Sequence, residues 1–96
     1  MTVLERRARI LVQGAVQGVG YRWFARSRAR ALKLAGVVRN LDDGNVELLV
    51  SGRADDVLTF VGELEHGPPR ARVVKVDVDD APDGAYFPNP FDIDHE

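Results

Sequence analysis

The hydrophobic and polar positions of the chain follow two periods, one of which is typical of β-strands. Apolar and polar residues alternate through residues 7–13, where Ala8, Ile10 and Val12 share one side. Three later runs are similarly short, rich in valine or leucine and bounded by turn residues. The segments predicted as strands are residues 7–13, 37–41, 46–50 and 72–79.

Turn residues delimit these strands. Residues 42–45, Asp-Asp-Gly-Asn, tolerate a left-handed backbone and therefore predict a tight hairpin turn between the second and third strands. Ser51 and Gly52 are expected to end the third strand. Phe91 and Ile93 predict a short last strand at an edge of the sheet.

In two other segments apolar residues recur every three to four positions, which is the period of an amphipathic helix. The first predicted helix, residues 21–34, is expected to stop at Gly36. The second, residues 55–65, is expected to stop at Gly67, which two prolines follow. The aligned apolar residues are Tyr21, Ala25, Ala29 and Leu32 in the first helix and Val57, Phe60, Val61 and Leu64 in the second.

The predicted elements follow the order βαββαβ, with a fifth short strand at the end. This order is that of the ferredoxin-like split βαβ motif. It predicts an α+β two-layer sandwich, in which two helices cover one face of an antiparallel sheet. A chain of 96 residues fits a single domain, so we expect one domain over residues 1–96.

Composition excludes several kinds of chemistry. The chain has no cysteine, which excludes disulfides, thiol nucleophiles and zinc–thiolate sites and fits a reducing compartment. No apolar run approaches the roughly 18 residues that a membrane span needs. The polar, basic start has no apolar stretch of the kind found in signal peptides. We therefore expect a soluble cytoplasmic protein with no membrane partner. The sequence leaves the oligomeric state open, and a monomer is the state we favour.

Charge is distributed unevenly along the chain. The net charge is −2, yet residues 1–40 hold nine of the 13 basic residues and residues 41–96 hold 14 of the 15 acidic ones. A basic half can attract an anionic partner such as a nucleic acid. The interpretation we favour is that the two halves interleave in the fold and neutralise each other.

A glycine-rich connection between the first strand and the first helix is the first candidate site. Residues 14–20 contain three glycines and lead to a helix N-terminus, where free amide groups and the helix dipole attract anions. Arg22 lies in the first helical turn, and its planar guanidinium suits two phosphate oxygens. This arrangement predicts a phosphate cradle with an arginine clamp. The alternative is an ordinary glycine-rich loop beside a surface arginine, because glycine spacing alone is not specific.

Asn40 is the second candidate, near the end of the second strand. The first helix crosses between the first two strands, so the second strand can bring Asn40 close to the glycine-rich loop. An asparagine amide both donates and accepts hydrogen bonds and can hold a water molecule, but it cannot act as a general base. The alternative is an asparagine that caps its own hairpin.

Two segments together resemble the signatures of the acylphosphatase family. Residues 14–22 match its first pattern, G-x-V-Q-G-V-x-[FY]-R, at every fixed position. Residues 36–46, followed by Gly52, match the second pattern except at Val37, where the family usually has an aromatic residue. We expect a change of packing at Val37 rather than a loss of chemistry. The acidic end, residues 94–96, also departs from the basic or aromatic end that is common in the family.

The resemblance implies a specific activity and site. It implies hydrolysis of the carboxyl–phosphate bond of small acyl phosphates, such as carbamoyl phosphate, 1,3-bisphosphoglycerate or the laboratory substrate benzoyl phosphate. It implies no metal, no cofactor and no covalent intermediate. Arg22 would bind the phosphoryl oxygens, and Asn40 would position the attacking water. The residues implied to bind the phosphate are Ala15, Val16, Gln17, Gly18, Val19, Gly20 and Arg22.

Three alternatives remain open for this fold. One is a domain like the N-terminal one of the carbamoyl-transferring hydrogenase-maturation proteins, which are much longer than this chain. An RNA-binding ferredoxin-like domain would use the basic first helix, but its sheet normally presents aromatic residues, and the third strand has none. A non-catalytic module could keep the cradle only to sense an anion.

The histidines, His66 and His95, are expected to be a surface cation and a residue of the chain end rather than catalytic bases. Trp23 and Phe24 are expected either to line the entrance of the substrate site or to pack against other side chains.

Overall fold

The computed structural model describes residues 4–94, and these form two helices and five strands. Their order is βαββαβ followed by a short fifth strand, as predicted. His95, Glu96 and the first three residues of the expected domain lie outside the described residues. The elements are β1 (Glu5–Ala15), α1 (Tyr21–Ala31), β2 (Ala35–Asn40), β3 (Val46–Arg53), α2 (Ala54–His66), β4 (Arg72–Asp80) and β5 (Asp92–Ile93).

The strands form one sheet in the order β4-β1-β3-β2-β5. The first four strands pair antiparallel, but β5 pairs parallel with β2, so the sheet is mixed rather than antiparallel throughout. β3 lies between β1 and β2, and its first residue, Val46, pairs with Val12 on one side and Asn40 on the other. The exit of β1 toward the glycine-rich loop and the end of β2 therefore lie at the same end of the sheet. Two strand spacings, about 10 Å, separate them.

Both helices cover one face of the sheet with the faces that their periodicity predicted. Tyr21, Ala25 and Ala29 of α1 are buried, and Leu32 packs against the same core. In α2 the buried residues are Val57, Phe60 and Leu64, with Val61 partly buried. The alternation of β1 is confirmed as well, because Ala8, Ile10 and Val12 are fully buried beneath the helices. Neither helix within residues 4–94 is long and apolar enough to cross a membrane.

The end of α1 differs from the prediction. The helix ends at Ala31 rather than Leu34, because Lys33 adopts a left-handed backbone (φ 58°) and reverses the chain. The Leu34 amide then donates to the carbonyl five positions earlier (2.9 Å), which is the closing bond of a Schellman motif. Gly36 is therefore not the helix stop but a residue of β2 with φ 143°. A side chain there would overlap the Leu49 carbonyl, so glycine is needed for the close approach of β3.

Several strand limits also differ from the prediction, among them those of β2, which covers Ala35–Asn40 rather than residues 37–41. Ser51 and Gly52 do not end β3, because they continue to pair with β1 as far as Arg53. Gly14 and Ala15 belong to β1 rather than to the loop, since both pair with β4. A change of register after Gln13 in β1 leaves Val74 of β4 without a partner, and this valine is 74% exposed. The local alternation of residues 72–79 does not reveal this irregularity.

The first residue of α1 is attached to the last turn of α2. The buried Tyr21 hydroxyl donates to the Leu64 carbonyl (2.7 Å), and burial raises the pKa of Tyr21 well above its ordinary value. Leu64 lies four residues before Pro68, which has no amide hydrogen, so the helix cannot supply a partner for this carbonyl. The tyrosine hydroxyl therefore replaces a missing backbone bond and holds the start of α1 in place.

Replacing Tyr21 by phenylalanine is expected to lower the free energy of unfolding by about 1–2 kcal/mol. The substitution keeps the buried ring but leaves the Leu64 carbonyl buried without a donor. Urea denaturation followed by circular dichroism measures the change. The exposed Tyr86 provides the control, since Tyr86→Phe should leave the midpoint unchanged. Equal midpoints for Tyr21→Phe and the unmodified protein would contradict this role.

Candidate active site

The loop between β1 and α1 has the backbone geometry of an anion cradle. Gly18 (φ 73°) and Gly20 (φ 80°) are both left-handed, whereas Val19 between them is not. Among the described residues no atom beyond the adjoining residues lies within 4 Å of a Cβ built on either glycine, so backbone conformation rather than space requires glycine here. Left-handed residues that alternate with ordinary ones turn successive amides toward a common point.

The N-terminus of α1 leaves its first amides without partners in the described part of the chain. Gly20 is the N-cap, no side chain caps it, and the first helical bond joins the Phe24 amide to the Gly20 carbonyl (3.0 Å). The amides before Phe24 therefore have no intrahelical acceptor. The first turn also contains no acidic residue. The positive end of the helix dipole thus faces the loop without compensation, which favours a bound anion.

Apolar and polar contacts fix the loop in position. Val16 is buried and Val19 packs against the core. The Gln17 side-chain amide donates to the carbonyls of Leu41 (2.8 Å) and Asn45 (2.9 Å), on either side of the β2–β3 turn. Sequence reasoning expected only the backbone of Gln17 to act and missed this bridge. The signal was its fixed place in the first signature, because a backbone amide alone does not need a glutamine.

Arg22 is the unpaired cation of this end of α1. It is partly buried, and within residues 4–94 its guanidinium has no hydrogen bond or ion pair. The later arginines of the same helix, Arg26, Arg28 and Arg30, each contact a carboxylate. A cation in the first turn opposes the helix dipole at a cost of about 0.3–1 kcal/mol. A bound anion at the loop would remove this cost.

Asn40 contributes an unsatisfied acceptor at the same end of the sheet. Its Oδ1 atom is buried and has no hydrogen-bond partner among the described residues. Leaving such an atom unpaired costs about 1–3 kcal/mol, which a hydrogen bond from a donor outside the chain would offset. Asn40 lies two residues after Val38, which faces the helices, so both side chains lie on the face that α1 covers. Within residues 4–94 the Asn40 Oδ1 atom makes no hydrogen bond that would support the alternative, an asparagine that caps its hairpin.

The predicted residues thus lie at the same end of the fold. Gln17 binds the carbonyl of Leu41, the residue after Asn40, and so joins the loop to the end of β2. Arg22 stands on α1, which packs against β2. Ala15 is the exception in placement, because it is the last residue of β1 rather than part of the loop. An amide cradle, a free guanidinium and an unpaired amide oxygen can together bind a phosphoryl group and a water molecule.

On the face of the sheet away from the helices, Glu47 of β3 binds one arginine of each neighbouring strand. Glu47 accepts hydrogen bonds from Arg9 (2.6 Å) and Arg39 (2.9 Å). Burial alone would raise the pKa of Glu47, but these two bonds outweigh it and hold the pKa below its ordinary value. Val37, the departure from the family pattern, lines a groove of about 580 Å³ on this face. Its side chain therefore lies on the face of the sheet opposite the helices, and the expected change of packing at Val37 stays a prediction.

Comparisons with known proteins agree with the fold. The family described as Acylphosphatase matches residues 8–93. An acylphosphatase from Koribacter versatilis is 48% identical over 81 residues, which are 84% of this chain and 74% of that protein. The crystal structure of an acylphosphatase from Bacillus subtilis superposes with a TM-score of 0.83 at 36% identity, covering 96% of this chain and 100% of the other.

A larger protein contains a similar domain. The crystal structure of HypF from T. kodakarensis matches with a TM-score of 0.80 at 32% identity, covering 97% of this chain but 12% of HypF. The likeness is therefore to one part of that protein, whereas the acylphosphatase from Bacillus subtilis corresponds along its full length. From the family match over residues 8–93 and these identities, the chain belongs to the acylphosphatase family.

Proposed function

We propose that this protein hydrolyses small acyl phosphates to a carboxylate and inorganic phosphate, by attack of a water molecule that Asn40 holds and without a metal or cofactor. By its family the chain is an acylphosphate phosphohydrolase. The observation that carries the mechanism is the pair of unsatisfied groups at one end of the fold. The Arg22 guanidinium and the Asn40 Oδ1 atom have no partner within residues 4–94.

The phosphoryl group would be bound by backbone and side chain together. Amides of the loop and of the first turn of α1, from Val16 to Arg22, donate to its oxygens. The Arg22 guanidinium donates to two further lone pairs in its planar fork. Phosphoryl transfer passes through a loose transition state, so positioning and charge stabilisation supply most of the rate.

The attacking water would be held by Asn40 and aligned with the bond that breaks. The Oδ1 atom accepts one hydrogen of the water, whose oxygen bonds to phosphorus while the bond from phosphorus to the carboxyl oxygen breaks. The carboxylate leaves without a general acid, because its conjugate acid has a pKa of about 4. A phosphoryl oxygen of the substrate takes the water's proton. A pKa of about 6.5 in the pH dependence of kcat that is absent in His66→Gln would contradict this route.

We also propose that the functional unit is one chain. The loop, Arg22 and Asn40 all belong to a single copy, so we propose a monomeric enzyme formed by one domain over residues 1–96. We place it in the cytoplasm, which the lack of cysteine fits. The substrate is a small molecule rather than a nucleic acid or a membrane.

The experiment is hydrolysis of benzoyl phosphate by the purified full chain in EDTA. We expect turnover that survives EDTA, is nearly lost in Asn40→Ala, and is absent with p-nitrophenyl phosphate, whose leaving group is a phenol rather than a carboxylate. Absence of turnover by the folded protein would contradict the proposal. Calorimetric binding of inorganic phosphate without turnover would then favour the anion-sensing module, and salt-sensitive binding of RNA the nucleic-acid-binding one.

The Gln17 bridge gives a further prediction. Gln17→Ala removes both hydrogen bonds that join the loop to the β2–β3 turn. We expect kcat/KM for benzoyl phosphate to fall about tenfold, because a small displacement of reacting groups is costly. Gln13→Ala, in β1 outside the loop, is the control and should keep the full rate. Equal rates for the two variants would show that the bridge does not position the site.

A further inference from the structure

Trp23 is a large apolar side chain in an exposed place beside Arg22. It is the single tryptophan of the chain, and 66% of its surface is exposed. Its neighbour Phe24 packs instead, with its ring 6.0 Å from the buried Tyr21 ring. Of the two aromatic residues that follow Arg22, the structure therefore assigns packing to Phe24 and leaves Trp23 without a role in the core.

The exposed indole is nevertheless held in place. The Arg26 guanidinium lies 4.0 Å from the centre of the Trp23 ring, within the range of a cation–π contact. Arg26 is itself 3.5 Å from the Asp92 carboxylate. The Ile93 backbone amide, and with it Arg26 and Arg30, holds the pKa of Asp92 below its ordinary value, so the carboxylate stays charged. One face of the indole is thus covered by a tethered arginine.

Trp23 lies near the N-terminal end of α1, where the loop between β1 and α1 ends. It is the third residue of the helix, and helical side chains incline toward the N-terminus. On this inclination the indole would lie toward the first turn, which carries Arg22 and the amides without partners. The buried residues Tyr21 and Ala25 mark the sheet-facing side of α1, and the exposed Trp23 lies on the outer side.

The geometry of the reaction places the acyl group on the same outer side. In an in-line displacement the leaving group stands opposite the attacking water. Asn40, which would hold this water, lies on the sheet beneath α1. The carboxylate of the substrate then points away from the sheet, toward the solvent side of the first turn of α1. Trp23 is the large apolar side chain exposed there.

We propose that Trp23 contacts the acyl group of the substrate and makes the enzyme selective for acyl phosphates with an aromatic or bulky apolar acyl group over those with a short one, such as acetyl phosphate. This inference rests on the proposed function and names the substrate class of the same site. An indole surface gains contact area from a phenyl ring but very little from a methyl group.

The test compares kcat/KM for benzoyl phosphate and acetyl phosphate in the unmodified protein, Trp23→Ala and Trp23→Phe. We expect Trp23→Ala to lower the benzoyl-to-acetyl ratio about tenfold, with acetyl phosphate hydrolysed at nearly the original rate. Trp23→Phe should keep most of the ratio. Tyr86→Ala is the matched control, since Tyr86 is also an exposed aromatic residue (74%) but lies in the segment between β4 and β5, and it should keep the full ratio.

The outcomes separate the two proposals. An unchanged ratio in Trp23→Ala, or an equal loss on both substrates, would overturn the role of Trp23 while the enzyme remained an acylphosphatase. A folded, unmodified protein that hydrolysed neither substrate would overturn the proposed function and this inference with it.

Tryptophan fluorescence supplies a readout that does not depend on turnover. Because Trp23 is the single tryptophan, all indole emission reports on this position. We expect benzylphosphonate, which cannot be hydrolysed, to change the emission at concentrations that inhibit the enzyme, and methylphosphonate to change it far less. Inhibition by benzylphosphonate with no change in emission would overturn the contact.

Discussion

Replacing Asn40 by alanine is expected to lower kcat for benzoyl phosphate by about 10²- to 10³-fold, with KM changed less than about threefold. The Oδ1 atom is buried without a partner within residues 4–94, and in our mechanism it holds the attacking water rather than the substrate. Removing it therefore affects the transition state and leaves ground-state affinity nearly intact. Steady-state kinetics of the purified variant measure both constants.

The same substitution is not expected to lower the stability of the fold. Alanine at position 40 removes a buried acceptor that has no donor, so the free energy of unfolding should stay equal or rise by up to about 1 kcal/mol. A variant that loses activity but not stability identifies a residue retained for function. Asn45→Ala is the matched control on the same hairpin, because the Asn45 side chain binds Asp43 and should affect kcat little. Near-normal kcat in Asn40→Ala would disprove the water-positioning role.

Replacing Arg22 by alanine is expected to lower kcat/KM for benzoyl phosphate by about 10³-fold, through both a higher KM and a lower kcat. The guanidinium would bind the phosphoryl oxygens before and during the reaction, unlike the amide of Asn40. Arg28→Ala is the control on the same helix, since Arg28 binds Glu63 (3.2 Å) and should leave both constants unchanged. An unchanged KM for Arg22→Ala would contradict ground-state binding by this residue.

Inorganic phosphate offers a second measurement on Arg22. A ligand that binds the folded state raises Tm by mass action, so millimolar phosphate should stabilise the unmodified protein and Arg28→Ala. The same phosphate should not stabilise Arg22→Ala. Without phosphate, however, Arg22→Ala should be slightly more stable, by about 0.3–1 kcal/mol, because it removes a cation from the positive end of α1. A phosphate-dependent rise in Tm in Arg22→Ala would place the anion elsewhere.

Much of the fold was predictable because it depends on neighbours in sequence. The spacing of Val57, Phe60 and Leu64 alone defines the buried face of α2, and all three are in the core. The order of elements followed from such local periods, and the order predicted the sandwich. The resemblance to two signatures predicted the family, which the match over residues 8–93 confirms. The roles of Arg22 and Asn40 stay predictions until the variants are measured.

The predictions that the structure contradicts share a physical cause. The sequence predicted Gly36 as a helix stop. Position 36 instead needs glycine because a side chain there would overlap the carbonyl of Leu49, a residue of the neighbouring strand. The end of β3 depends on its pairing with β1, and the bridge from Gln17 depends on carbonyls 24 and 28 positions away. No local period reports contacts across such separations.

The sequence by itself determined the elements, their order and the residue types available at the site, because these depend on interactions between residues a few positions apart. The tertiary structure decided which of those residues meet and which remain unsatisfied. Only pairing through Val46 brings Asn40 to the end of the sheet where the loop begins, and only packing leaves Arg22 without a partner in the described chain and Trp23 exposed. Whether a polar group has a hydrogen-bond partner depends on residues far from it in sequence, so the site forms only when the chain folds.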